Sequence, residues 1–416
     1  MALAKTAAIV PAAVSLVLVL AAVRSASAQE WTRFRGPNGA GHGKADSIPV
    51  KWTESHYNWK VKLPGSGHGS PVLWGERIFL MCCDDRTGSR IVVCLQAADG
   101  SVLWSRSFQS DRFKMNSLNS YGATTPVVDK DRLYVAWSSP RSIVLRALDH
   151  DGKDLWERDL GPHRSQHGPC TSPMLFEDLV VMTNDQQGES FLIAVEAATG
   201  KTLWKLPRTS GRAAYSTPCI RRSGNGEAEL IVTSTAAGVT SVNLKTGQVN
   251  WQHEKVLPER CVSSPVLASD LVVATCGTGA RGKLFAVRPT GGKEADVAYK
   301  LSRNAPYVPC PLLAGGRLFL FGDAGHLTCL DAATGKQLWQ EKVPDPFFGS
   351  PVCVGGRIYC ISRKGNVFVL SAGEKYELLA TNPLGEMSFA TPAVAGGRMY
   401  LRTCNYLISI GGQKKP

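Results

Sequence analysis

No long apolar run follows the one at the N-terminus, no cysteine precedes Cys82, and neither a Gly-x-Ser-x-Gly elbow nor a Cys-x-x-Cys pair occurs in the 416 residues. A single run leaves no further membrane-spanning helix to expect in the processed chain. Without an early cysteine, the processed end is expected to carry no lipid. The missing elbow argues against an α/β-hydrolase nucleophile, and the missing Cys pair against a Cys-based zinc site. Histidine is scarce: of eight, only His163 and His167 share a loop at i, i+4, without a third ligand in view, so no metal is expected. Basic residues are plentiful but dispersed. Arg221-Arg222, Arg363-Lys364 and Lys414-Lys415 are the only adjacent pairs, which fits a charged rim and argues against nucleic acid.

The N-terminus itself is informative. Lys5 precedes an apolar run from Ala7 to Val23, broken by Pro11, and Ala26-Ser27-Ala28 places small residues at −3 and −1. That pattern is a secretory signal peptide (1–28) with cleavage near Ala28, which places the mature protein in the periplasm or outside the cell. The mature 29–416 has a formal charge of +11, against +13 for the whole chain, and a basic surface favours anionic partners such as acidic glycans or acidic proteins. Twelve cysteines in an exported chain invite disulfides. Yet they sit inside apolar runs such as Val92-Val93-Cys94-Leu95, where a thiol serves as a small hydrophobe.

Internal repetition fixes the fold expectation. A small residue followed by proline opens a short apolar run at Ser70-Pro71, Thr125-Pro126, Ser172-Pro173, Thr217-Pro218, Ser264-Pro265, Cys310-Pro311, Ser350-Pro351 and Thr391-Pro392. Successive prolines lie 55, 47, 45, 47, 46, 40 and 41 residues apart, the period of a four-stranded propeller blade. Within each unit a second strand follows a turn, often Gly-Gly-Arg, and a third strand ends in a Gly turn. A Trp commonly stands four residues past that Gly, as in Gly100/Trp104, Gly152/Trp156, Gly200/Trp204, Gly247/Trp251 and Gly335/Trp339. Glycine there takes the positive φ of the hairpin, and the indole is expected to bury between blades. Units five and seven lack the Trp. The eighth unit stops at Ile410 before any Trp strand, while Asn58-Trp59-Lys60-Val61-Lys62-Leu63 reads like the missing one. The expectation is therefore all-β: an eight-bladed β-propeller of four-stranded antiparallel blades (58–416), closed by an N-terminal strand, after an N-terminal segment (29–57).

The turns Cys329-Leu330-Asp331-Ala332-Ala333-Thr334-Gly335-Lys336-Gln337-Leu338-Trp339 and Ala194-Val195-Glu196-Ala197-Ala198-Thr199-Gly200-Lys201-Thr202-Leu203-Trp204 resemble the tryptophan-docking motif of PQQ-like β-propellers. The opening Trp31-Thr32-Arg33-Phe34-Arg35-Gly36-Pro37-Asn38-Gly39 is similar to that of exported bacterial propellers commonly labelled BamB-like. The resemblance implies structural docking roles for Trp59, Trp104, Trp156, Trp204, Trp251 and Trp339. It also raises the quinoprotein dehydrogenases of the superfamily, whose PQQ lies under a vicinal disulfide, for which Cys82-Cys83 is the candidate here. Read as residues alone, Cys82 and Cys83 end a strand and face opposite ways. No carboxylate and asparagine set for Ca²⁺ can be placed on matching motifs.

In a propeller the loops entering the inner strands open on one face of the channel. Those loops bring His68, Tyr121, His167, Arg212, Tyr215, Arg260, Tyr307, Phe348 and Phe389 to that mouth, an aromatic and basic ring suited to a sugar, carboxylate or peptide. The anchor hydroxyls are expected to bond neighbouring backbone rather than act as nucleophiles. Two inserts outgrow the repeat, Gln109 to Tyr121 and Arg221 to Ala228. The resulting expectation is a monomeric, soluble, non-catalytic scaffold binding an envelope protein, peptide or acidic glycan, with no cofactor. The alternatives are a quinoprotein oxidoreductase using PQQ and Ca²⁺, and a polysaccharide hydrolase or lyase with His68, His167 and Tyr215 at its mouth.

Overall fold

Each Pro anchor starts a short inner strand: Val72–Trp74, Val127–Val128, Met174–Phe176, Cys219–Arg222, Val266–Ala268, Leu312–Ala314, Val352–Val354 and Ala393–Ala395. From each the chain meanders outward through antiparallel partners, giving eight sheets around a central channel. These are the eight blades, numbered here by their anchors from Ser70 to Thr391. The computed structural model describes Met1 and residues 30–45, 47–168, 171–224 and 226–412. The segment expected from sequence to be a signal peptide, with Ala28, and Lys414-Lys415 lie outside the described residues. Among the described residues no helix is long and apolar enough to cross a membrane.

Burial follows position within the blade. The second strand of blade 1, Arg77–Cys83, is buried at every residue after the first, because neighbouring blades cover both of its faces. The outer strand, Val102–Phe108, is exposed at every second residue over Leu103–Ser107 or partly so. Every third strand carries a bulge beside its outer strand, and the residue facing the docking position there is small. Trp104 faces Cys94, Trp156 faces Ala147, Trp204 faces Ala194, Trp251 faces Ser241, Trp339 faces Cys329, and Trp59 faces Ser409. Cysteines in these runs thus make room for an indole. All eleven described cysteines are free thiols.

Closure occurs as the repeat pattern predicts. Tyr57–Lys62 pairs antiparallel with Tyr406–Gly411 and becomes the outer strand of blade 8. The residues before it do more. Trp31 pairs with Leu73 of blade 1, and the Thr32 carbonyl accepts from the Val128 amide of blade 2 at 2.9 Å. Arg33 Nη2 donates to the Pro218 carbonyl (2.5 Å) and Arg35 Nη2 to the Pro311 carbonyl (2.9 Å). His42–Gly43 then adds a parallel strand to Cys353–Val354 of blade 7. The segment therefore crosses the end of the channel opposite the anchors and stoppers it. Burial lowers the pKa of Arg33 to about 10, but both guanidiniums remain cations.

Candidate functional site at the channel mouth

The anchors form a girdle. The Ser70 amide donates to Thr125 Oγ1 (3.0 Å), Thr125 to Ser172 Oγ (2.9 Å) and Thr217 to Ser264 Oγ (3.0 Å). Ser264 donates to Cys310 Sγ (3.2 Å), Cys310 to Ser350 Oγ (3.0 Å), and Ser350 to Thr391 Oγ1 (2.9 Å). The Thr391 amide reaches Ser70 Oγ at 3.0 Å and ties blade 8 to blade 1. At seven of the eight anchors the side chain before proline is the acceptor for the preceding blade, the Cys310 thiol occupying the same place as the hydroxyls.

Above this girdle lies a cavity of about 430 Å³. Phe34, from the N-terminal stopper, lines it together with all eight anchor residues. Of the nine mouth residues expected from sequence, seven line it: His68, His167, Tyr215, Arg260, Tyr307, Phe348 and Phe389. Tyr121 and Arg212 do not. Tyr121 is buried, its hydroxyl bonded to the Phe113 backbone and its ring under Arg90, so it pins the Gln109–Tyr121 insert instead. Arg212 is exposed on the surface. The insert itself reaches the cavity through Asn116, Leu118 and Asn119. The Arg221–Ala228 hairpin lies at the opposite end, where Ile220 and Asn38 exchange hydrogen bonds.

Sequence reasoning missed Asp323 and Arg363. Both sit in hairpins between second and third strands, which in an antiparallel blade return to the same face as the anchor loops. The signal was available: Gly322-Asp323-Ala324-Gly325 and Ser362-Arg363-Lys364-Gly365 occupy equivalent places in blades 6 and 7. Phe34 had no such signal.

The walls are aromatic and cationic. His68 stacks on Phe389 with centroids 4.1 Å apart, and Phe348 meets Phe389 edge-on at 5.6 Å. The Arg363 guanidinium lies over Phe348 and Phe389, 5.1 and 5.8 Å from their centroids. Neither Arg260 nor Arg363 has an ion pair among the described residues, and neither buried Nε meets an acceptor there. Burial, reinforced by Arg402, drops the His68 pKa to about 3, so its ring is a neutral imidazole. His167 is lowered too, by burial and Arg260. Asp323 accepts the Tyr307 amide at 2.6 Å and the Val308 amide at 3.1 Å. Burial nonetheless raises its pKa to about 7.

A PQQ–Ca²⁺ pair does not fit this lining. Calcium takes six to eight oxygen ligands, several of them carboxylate, whereas among the described residues Asp323 is the one carboxylate in the lining. Among the described residues no three His, Cys, Asp or Glu side chains could hold a metal. Cys82 and Cys83 lie outside the lining as free thiols. Cys82 Sγ meets Arg402 Nη2 at 3.4 Å, while Cys83 Sγ lies 3.4 Å from Ser66 Oγ and Ser120 Oγ.

Residues 140–305 and 301–404 match a protein-family model described as outer membrane protein assembly factor BamB. A protein of that description from Burkholderia pseudomallei (strain K96243) is 25% identical over 362 residues, covering 85% of this chain and 87% of its own. The solved structure of BamB from Moraxella catarrhalis superposes with a TM-score of 0.63 at 13% identity, covering 86% of this chain and 97% of that one. Quinohemoprotein alcohol dehydrogenase from Comamonas testosteroni gives 0.70 at 13% identity, over 93% and 81%. At that identity the two structures speak for the fold alone. The chain belongs to the PQQ-like β-propeller repeat family described as outer membrane protein assembly factor BamB.

Proposed function

We propose that the protein is an exported, non-catalytic scaffold of the cell envelope that holds a protein, peptide or glycan at the anchor-side mouth of its channel. The observation behind this reading is the 430 Å³ cavity, stoppered at its far end and walled by aromatic rings and two guanidiniums without ion pairs among the described residues. Binding sites combine such apolar walls with a few oriented polar groups. The recurring motifs are taken up by the fold: anchors in the girdle and indoles in the seams between blades. Relatives described as outer membrane assembly factors support an envelope role, and the N-terminal apolar run supports export.

A thermal-shift titration of residues 29–416 tests the reading, with PQQ plus Ca²⁺, short peptides and glycans offered separately. The expected result is stabilisation by a peptide or glycan that Phe389→Ala abolishes, with no response to PQQ. A PQQ-specific rise in melting temperature would overturn the scaffold in favour of a quinoprotein.

A further inference from the structure

We propose that the mouth cavity is a subsite for an acidic sugar, a hexuronate unit of a glycan. Its carboxylate meets Arg260 and Arg363, and its ring lies against the His68–Phe389 stack. This inference rests on the mouth being the binding site, and it names the ligand class.

The argument begins with the girdle. Ser70, Thr125, Ser172, Ser264, Ser350 and Thr391 each accept a backbone amide with the side-chain oxygen. A hydroxyl that accepts still has one proton to give, and among the described residues no protein acceptor takes it. All six line the cavity. Its base is therefore a ring of O–H donors, and to one side stand two guanidiniums whose Nε atoms also lack acceptors.

Acceptors are scarce by comparison. Of groups that offer an acceptor other than a hydroxyl, the lining has the Asp323 carboxylate, already engaged by two amides, the carboxamide oxygens of Asn116 and Asn119, and one ring nitrogen each of His68 and His167. A donor-rich cavity favours a ligand rich in oxygen acceptors. A peptide brings an amide N–H with every residue and would leave these unpaired. A sugar acid brings ring, glycosidic and carboxylate oxygens that only accept, and hydroxyls that each offer two acceptor sites for one donor.

The remaining features select the kind of sugar. The neutral His68 ring, stacked on Phe389, gives a broad face for the C–H side of a pyranose. Arginine's planar fork matches a carboxylate in two-point contact. With two guanidiniums against one carboxyl of pKa about 7, the cavity favours an anion over a neutral sugar.

Calorimetric titration of residues 29–416 with digalacturonate, with neutral galactobiose, and with a phenylalanine-terminated tripeptide acid provides the test. Digalacturonate is expected to bind at one site, about tenfold or more weaker in Arg363→Gln, as for loss of a charge-assisted pair. Arg363→Lys, which keeps the charge, should retain part of the affinity, and unchanged melting temperatures separate loss of the contact from loss of the fold. Galactobiose binding within about twofold of the acid would overturn the acidic class. Tripeptide binding without digalacturonate binding would overturn the saccharide. Either result leaves the mouth as the binding site if Phe389→Ala weakens the probe that binds. If no probe binds, and an envelope partner captured by the wild type is also captured by Phe389→Ala, both readings fall together.

Discussion

Trp204 and Gly247 are the two halves of one contact, made by residues 43 positions apart in adjacent blades. The indole of blade 3 lies on the turn of blade 4, donates to the Leu244 carbonyl at 2.7 Å, and is 8% exposed. A Cβ on Gly247 would stand 2.7 Å from the ring, and the residue's φ of +74° is itself unfavourable for an L side chain. Trp204→Ala is expected to cost about 3–5 kcal/mol. Gly247→Ala should cost about 2–4 kcal/mol, strain and overpacking together. Gly75→Ala is the control: its φ is +57° but nothing lies within 4 Å of an added Cβ, so about 1 kcal/mol is expected from strain alone. Urea denaturation of the three variants checks the order, and equal losses at Gly75 and Gly247 would refute steric docking. Asp323 makes a different residue-scale prediction. Its carboxyl titrates near pH 7, faced by the Tyr307 and Val308 amides and by Arg363, with Tyr307 in turn bonded to Arg260. As pH falls from 8 to 6 it takes up a proton and stops competing for the guanidinium. His68, lowered to about 3, adds no charge over that range, and burial with Arg260 shifts the titration of His167 downward. An anionic ligand should therefore bind tighter at pH 6 than at pH 8, by about fivefold, or ~1 kcal/mol between partly screened charges. Asp323→Asn should flatten the dependence, and a slope that survives it would place the proton elsewhere.

Between neighbouring blades the docking repeats with three interruptions: at two the indole meets no acceptor in the receiving turn, and at the third, between blades 7 and 8, the outer strand Leu378–Pro383 carries no aromatic ring. Trp59, Trp104 and Trp156 donate to Ala97, His150 and Ala197 carbonyls at 3.2, 2.8 and 2.9 Å. Tyr299 does the same in blade 5, its hydroxyl reaching the Ala332 carbonyl at 2.7 Å. The blade counted as lacking its Trp thus has a phenol in the same role. Trp251 and Trp339 face the turns of blades 5 and 7, Pro289-Thr290-Gly291-Gly292 and Ser371-Ala372-Gly373-Glu374, and their buried indole N–H groups find no acceptor among the described residues. Among the seams that carry a docking ring, those between blades 4 and 5 and between blades 6 and 7 are expected to be the weakest. In hydrogen-exchange mass spectrometry, Val249–His253 and Gln337–Lys342 should exchange before Thr202–Arg208. Equal protection would mean that ring burial alone holds the seams. At this scale most of the fold was legible, because anchor, turn glycine and indole recur at a blade's period. Much of the mouth was legible for the same reason, since each anchor marks the loop before it. Tyr121 was misjudged because an insert beside it offered a closer partner, and Arg363 was overlooked because hairpins of the second and third strands also reach that face.

Across the whole molecule, one N-terminal segment serves the closure and the cavity at once, and repeat periodicity reveals only the first role. Asn58 to Leu63 copies a blade's outer strand and can be recognised as such. Residues 31–43 copy nothing. Their place follows from two buried arginines, Arg33 and Arg35, whose guanidiniums cap inner-strand carbonyls at Pro218 and Pro311. Trp52 then packs into the largest apolar cluster, which spans blades 7, 8 and 1. Its amide donates to Asn382 Oδ1 at 2.9 Å, beside the one outer strand without an aromatic docking residue. Deleting residues 29–63 would remove the outer strand of blade 8, the stopper and Phe34 together, exposing the Tyr406–Gly411 edge for pairing with other chains. The expected outcome is a less stable, self-associating protein by calorimetry and light scattering. A finer variant separates the two roles. Arg33→Met with Arg35→Met leaves the closing strand intact but strips the stopper of its carbonyl contacts. It should remain monomeric with a lowered melting temperature and lose ligand affinity at the mouth, because Phe34 no longer has a fixed place in the lining. A double variant that keeps full affinity would show that the mouth works without its stopper; a truncation that stays monomeric and equally stable would refute closure by the N-terminal strand.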